Sequence, residues 1–167
     1  MKSRPQGPQP SLRSRAIRLL ARREHSRAEL AKKLAAKAVE TTDTPEEIDS
    51  VLDQLERNGL LSDARTAEAY VRSHAARFGS ARLVHSLRTR GIDSALIEAS
   101  LAQEGIENEG ERAAAVWHSK FSNAPCDARE WARQARFLQG RGFSSDIIRK
   151  LLKNIAAMSN ELEEHDD

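Results

Sequence analysis

The side chains with the clearest chemical potential are cations, and their spacing suits binding rather than bond making. Arg72, Arg77, Arg82, Arg88 and Arg90 crowd the middle of the chain, and Arg133, Arg136 and Arg141 follow further on. Lys2, Arg4, Arg13, Arg15, Arg18, Arg22, Arg23, Arg27, Lys32, Lys33 and Lys37 fill the first quarter, opposed there by Glu24 and Glu29. The far end reverses the sign with Glu161, Glu163, Glu164, Asp166 and Asp167. The net charge is only +2, so it is this asymmetry that points to a polyanionic partner at one end. Arg90 and Arg141 each stand directly before a glycine, and Lys37 holds the matching place earlier. Two readings stay open for them. A cation there complements the dipole of a helix C-terminus, and the same cations repeated would lay a stripe along a stacked array. Aromatic residues make up 4% of the chain, too thin a supply for base stacking. Contact with a nucleic-acid backbone, or with an acidic protein surface, fits the set better.

Catalysis does not. The sequence holds no glycine-rich phosphate loop, no Gly-x-Ser-x-Gly elbow and no carboxylate pair isolated on an apolar face. Glu46 and Glu47 belong to a helix's first turn, where capping and the dipole account for them. His25, His74, His85, His118 and His165 are scattered without metal-ligand spacing, so zinc is rejected and no cofactor is expected. Cys126, the single cysteine, is read as an ordinary loop thiol. There is no apolar run of about 18 residues and no apolar signal core, which predicts a cytoplasmic protein away from membranes.

The elements that must position these cations come from a repeat. Leu87, Arg90, Gly91, Ile92, Ile97 and Leu101 recur at one constant offset as Leu138, Arg141, Gly142, Phe143, Ile148 and Leu152. A weaker copy runs through Leu34, Lys37, Ala38 and Val39, then Ile48 and Leu52. A period of this size marks stacked supersecondary units. With 39% hydrophobic and 31% charged residues, abundant alanine and leucine, and no β-branched runs, those units should be helical. The motif itself is a helix ending, in which glycine takes a positive φ, the apolar residue after it folds back, and a leucine one turn earlier receives it. The same spacing predicts endings at Leu55…Gly59-Leu60 and Leu101…Gly105-Ile106. Ala38 lacks the glycine, so that corner should be looser or differently capped.

In chain order, residues 1–10 read as a disordered basic arm. Residues 11–61 form the first three-helix unit: a helix over 12–24 burying Ala16, Leu19 and Leu20, a second capped by Ser26 and Glu29, and a third opening on Thr44-Pro45-Glu46-Glu47. Residues 62–106 form the second, with Ala67, Tyr70, Val71 and His74 on its first helix, Ser80 as the cap of its second, and Asp93 or Ser94 as the cap of its third. A linker over 105–110 leads into the third unit, residues 107–158, where Trp117, Trp131 and Leu138 read as core. Residues 159–167 read as a frayed acidic tail. The fold class is all-α, three tandem three-helix repeats. A helix, a glycine turn and a second helix also describe a helix-turn-helix, and a DNA-binding regulator of that kind is the alternative. The helices after Gly91 and Gly142 carry mainly apolar residues with Glu98 or Asp146, a poor set for reading base edges, and only the last one is basic, at Arg149 and Lys150.

Asn58-Gly59-Leu60-Leu61-Ser62-Asp63-Ala64-Arg65, followed by Ala67-Glu68-Ala69-Tyr70-Val71-Arg72-Ser73, resembles the signature of the bacterial RecX regulatory proteins. So do Leu87-Arg88-Thr89-Arg90-Gly91-Ile92 and Arg136-Phe137-Leu138-Gln139-Gly140-Arg141-Gly142-Phe143-Ser144. The likeness covers roughly residues 12–157, with the motifs in the family's order. Thr66 departs from the usual phenylalanine, which implies altered packing in the central unit, and Ala38 departs from the usual glycine. The resemblance implies repeats stacked into an elongated, curved array, and a monomer that modulates the RecA recombinase. It would bind the RecA–DNA filament, touch single- or double-stranded DNA with it, and mostly inhibit ATPase, filament extension and strand exchange. The surface expected to do so comprises Arg65, Arg72, Arg77, Arg88 and Arg90, with Arg22, Arg23, Lys32 and Lys33 at the basic end.

Overall fold

A computed structural model describes residues 10–103 and 108–163, which contain α-helices and no strand. α1 (Leu12–Leu20), α2 (Arg27–Thr41) and α3 (Pro45–Arg57) form one unit. α4 (Asp63–His74), α5 (Ser80–Thr89) and α6 (Ser94–Gln103) form the next, and α7 (Glu109–His118), α8 (Ala128–Gly140) and α9 (Ser145–Glu163) the last. Helix packing is most extensive within units, and each unit has its own core. Leu30, Leu34, Leu52 and Leu55 fill the first, Val71, Leu83, Leu87 and Ile97 the second, and Trp117, Leu138, Ile148 and Leu152 the third. Each such side chain is worth roughly 1.5–3 kcal/mol of transfer energy. Cores this small are marginal alone, which makes the contacts between units matter.

The helix starts follow local chemistry. Ser26 and Glu29 close a reciprocal capping box on α2, and Thr44 and Glu47 close another on α3 with Pro45 at its first position. Asp93 Oδ1 accepts from Ala95 N–H at 2.8 Å and so caps α6. The glycine corners have the full double-bonded geometry. Ile92 N–H donates to Leu87 carbonyl (3.2 Å) and Gly91 N–H to Arg88 carbonyl (2.8 Å), with Gly91 at φ +75°. Gly142 and Gly59 repeat the pattern at φ +88° and +67°. Ile92 and Phe143 fold into their cores, whereas after Gly59 it is Leu61 that is buried and Leu60 that is exposed.

Several expectations need correction. α1 stops at Leu20 rather than near residue 24. α2 does not turn at Ala38. It runs on to Thr41 and closes on Thr42, held at φ 60°, because without a glycine the chain has no low-cost left-handed residue at position 38. Ser80 is the first helical residue of α5, and Gly79 is the cap. Of the linker expected over 105–110, Asn108 caps α7 and Glu109 and Gly110 belong to it, while 105–107 lie outside the described residues. Trp131 is 39% exposed, while Trp117 is buried. α9 extends through Glu163, so part of the acidic end is helical. The corner expected at Gly105-Ile106, the arm over residues 1–9 and the last four residues lie outside the described residues. Thr66 is buried, and its hydroxyl donates back to Ser62 carbonyl at 2.9 Å.

Candidate functional site

The second and third units each dock onto the unit before them by the same device. At the first joint the Ser26 hydroxyl, at the cap of α2, donates to the Arg90 carbonyl beside the Gly91 corner. At the second, Gly79 N–H at the cap of α5 donates to the Arg141 carbonyl beside the Gly142 corner (2.9 Å). The first amide of the receiving helix is satisfied across the boundary as well. Arg27 N–H donates to Asp63 Oδ1 at 2.7 Å, and Ser80 N–H donates to Glu109 Oε1 at 2.8 Å. Asp63 and Glu109 each begin the first helix of the incoming unit, so its opening carboxylate caps the helix that it meets. The corner glycines are pressed close in both joints. A β-carbon on Gly91 would lie 2.6 Å from Ala28 Cβ, and one on Gly142 would lie 2.7 Å from Arg82 N.

Side chains finish the joints. Arg90 Nη1 lies 2.7 Å from Glu29 Oε1 and its guanidinium covers Tyr70, 4.5 Å from the ring centre. Burial pushes the Glu29 carboxyl up, but hydrogen bonds from Arg23, from Ser26 N–H and from Arg90 outweigh it and hold the group at about 2. At the second joint Arg82 covers Phe78 (4.5 Å), Arg141 reaches the same ring (5.9 Å), and Arg82 Nη1 donates to Gly140 carbonyl (2.6 Å). Arg112 donates to the Ala75 and Phe78 carbonyls and to Ser80 Oγ. Burial lowers its pKa, with Glu109 acting the other way. Tyr70 and His74 on α4 and Phe78, four residues past its last helical residue, stack in one column, with centroids 4.0 and 6.1 Å apart. That column runs from one joint to the other.

Between α2 and α5, beside the first joint, lies a cleft of about 860 Å³. Lys32, Lys33, Arg88 and Arg90 line it together with His85, Ser86 and Thr89, and its small-residue surface is Ala28, Ala36 and Gly91. Of the residues expected to form a binding surface, the cleft gathers Lys32, Lys33, Arg88 and Arg90. The first three are exposed, and Arg90 is tied to Glu29. Arg23 also pairs with Glu29 (3.2 Å), and Arg65 bridges to Glu24 (3.0 Å) and to Gly59 carbonyl. Arg22 and Arg72 are exposed away from the cleft, and exposed Arg77 stands 5.7 Å from the Phe78 ring. Within the basic first quarter, Arg15 pairs with Asp43, and Arg27 reaches Asp53 and Glu56 at 2.8 and 2.7 Å. Part of that charge is thus neutralised inside the first unit. Sequence reasoning missed Asp63 and Glu109 as joint-forming acids. The only available signal was an acidic residue opening the first helix of two successive units.

The described residues include no group of His, Cys, Asp or Glu able to hold a metal ion and no helix long and apolar enough to cross a membrane. Family models for the first, second and third three-helix domains of RecX match residues 13–55, 62–101 and 107–152. The chain is 46% identical over 147 residues to the regulatory protein RecX of Leptothrix cholodnii, covering 87% of this chain and 90% of that one. It is 39% identical over 155 residues to its counterpart from Ralstonia nicotianae, covering 92% and 94%. Among solved structures, RecX from Lactobacillus salivarius matches with a TM-score of 0.67 at 20% identity, over 87% of this chain and 95% of that one. A second crystal structure of a regulatory protein RecX matches at 0.70 and 23%, over 84% and 70%.

Proposed function

The chain belongs to the RecX family, and on that premise we propose that it regulates the RecA recombinase by binding the RecA–DNA filament, mostly as an inhibitor of ATPase, filament extension and strand exchange. The observation that carries this reading is the match of all three family domain models to this chain, in order, beside relatives named as regulatory proteins. Surface chemistry supports it. The exposed cations Lys32, Lys33 and Arg88 share one cleft. In this reading the protein works without a cofactor, as a cytoplasmic monomer, bridging neighbouring protomers of the filament through its successive units. A helix-turn-helix regulator is the weaker reading, because α6 presents Ser94, Ala95, Glu98 and Ala99 to solvent, a face without a cation, and of the helices after Gly91 and Gly142 only α9, with exposed Arg149, Lys150 and Lys153, carries a basic one.

The test is the ATPase of RecA on single-stranded DNA, measured with and without this protein. A dose-dependent fall in turnover is expected. Reversal of Arg72 and Arg88 to glutamate should weaken that inhibition while helical content stays unchanged. An ATPase indifferent to saturating protein, beside sequence-selective DNA binding with a steep salt slope, would favour the helix-turn-helix reading.

A further inference from the structure

We propose that the cleft between α2 and α5 binds the sugar–phosphate backbone of nucleic acid, with Lys32, Lys33 and Arg88 neutralising phosphates across the first joint. The proposal rests on the regulator reading only in so far as that reading places the protein beside DNA. Three observations carry it. First, Lys32, Lys33 and Arg88 have no cationic counterparts at the second joint, although the joint's backbone device is repeated there. Counting from the cap, the places that Lys32 and Lys33 hold on α2 are held by His85 and Ser86 on α5. The place of Arg88, three before the corner glycine, is held by Gln139 in the next unit. The cleft's cations are therefore not a by-product of how units dock.

Second, the one carboxylate lining the cleft is already committed. Glu29 accepts from Arg23, Arg90 and Ser26 N–H, and it opposes an incoming anion less than a free acid would. Third, the lining favours a phosphate chain over an acidic protein surface. No large apolar side chain lines the cleft, whereas a protein interface is anchored by buried aromatic and aliphatic groups. Lysine, arginine and serine beside a floor of Ala28, Ala36 and Gly91 are the donors and the clearance that a phosphodiester backbone uses.

The experiment is fluorescence anisotropy of a labelled oligonucleotide, single-stranded in one arm and duplex in the other, titrated with the full chain over a range of salt and without RecA. The double variant Lys33→Gln, Arg88→Gln removes two phosphate contacts. It should flatten the logarithmic salt slope by about 1.4 on single strands or about 1.8 on duplex, and weaken low-salt binding about tenfold or more. Lys33→Ala alone should flatten it by about 0.7 or 0.9, with circular dichroism confirming an unchanged fold. Wild-type slope and affinity in the variants would overturn the proposal, as would an absence of salt-dependent binding by the wild type. So would a variant that binds DNA normally yet no longer inhibits RecA, which would make the occupant an acidic protein surface. If the wild type leaves RecA untouched while the variant loses DNA, the cleft assignment stands and the regulator reading falls.

Discussion

Arg90 closes the second unit's corner, yet its guanidinium bonds to Glu29 of the first unit, 2.7 Å away, so one side chain ends a helix and ties two units together. Glu29 is the acid on which this tie depends, and its folded pKa of about 2 lies well below its ordinary 4.5. An acid depressed in this way contributes stability at pH above its unfolded value and loses that contribution as pH falls toward its folded one. Glu29→Gln should therefore cost on the order of 1–3 kcal/mol at neutral pH, and the gap from wild type should close between about pH 4.5 and 2. Thermal melts of both proteins across that window check it. A gap that stays constant with pH would contradict the ion-pair account.

The corner glycines separate backbone strain from crowding. Gly59, at φ +67°, has open space where a β-carbon would go. Gly59→Ala should cost only the left-handed penalty, about 1 kcal/mol. Gly142→Ala adds a collision with the backbone of Arg82 in the neighbouring unit, and should cost clearly more. Urea denaturation of the two variants ranks them. Equal losses would mean that the second joint yields without cost.

In the third unit the Trp117 indole N–H donates to Gln134 Oε1 at 2.8 Å, and Gln134 donates to Asn123 carbonyl at 3.2 Å. Both side chains are buried. Gln134→Leu keeps the apolar bulk but strands the indole N–H, at a cost of about 1–3 kcal/mol. Trp131, exposed on the same helix as Gln134, should accept alanine within about 0.5 kcal/mol. Chemical denaturation followed by circular dichroism compares the two, and a larger loss at Trp131 would reverse the core assignment.

Arg88 and Arg90 are neighbours with separable effects. Arg88 is exposed, so Arg88→Glu should leave the melting temperature near wild type while weakening inhibition of RecA ATPase several-fold. Arg90→Gln should lower the melting temperature because it breaks the Glu29 bond. Inhibition that survives Arg88→Glu unchanged would remove this part of the surface from the filament contact.

The corners were legible in the sequence because positive φ leaves few residue choices, so Leu…Gly-Ile at Leu87-Gly91-Ile92 betrays its geometry. The capping boxes at Ser26 and Thr44 were legible for a similar reason, since both partners lie three residues apart. The joints were not. Ser26 and Arg90 are 64 residues apart, and nothing local to either names the other. Gly79 looks less like a cap than Ser80 in the sequence, because what excludes a side chain there is the Gly142 carbonyl, 2.3 Å from where a β-carbon would stand. Among the cations, residue type alone could not separate Lys33 and Arg88, exposed in the cleft, from Arg23 and Arg65, which are held by Glu29 and Glu24.

The rings of Tyr70, His74 and Phe78 link both seams, so the central unit acts as a strut under load. Tyr70 seats Arg90 at one seam and Phe78 seats Arg82 and Arg141 at the other, so the column puts the two seats in one stack.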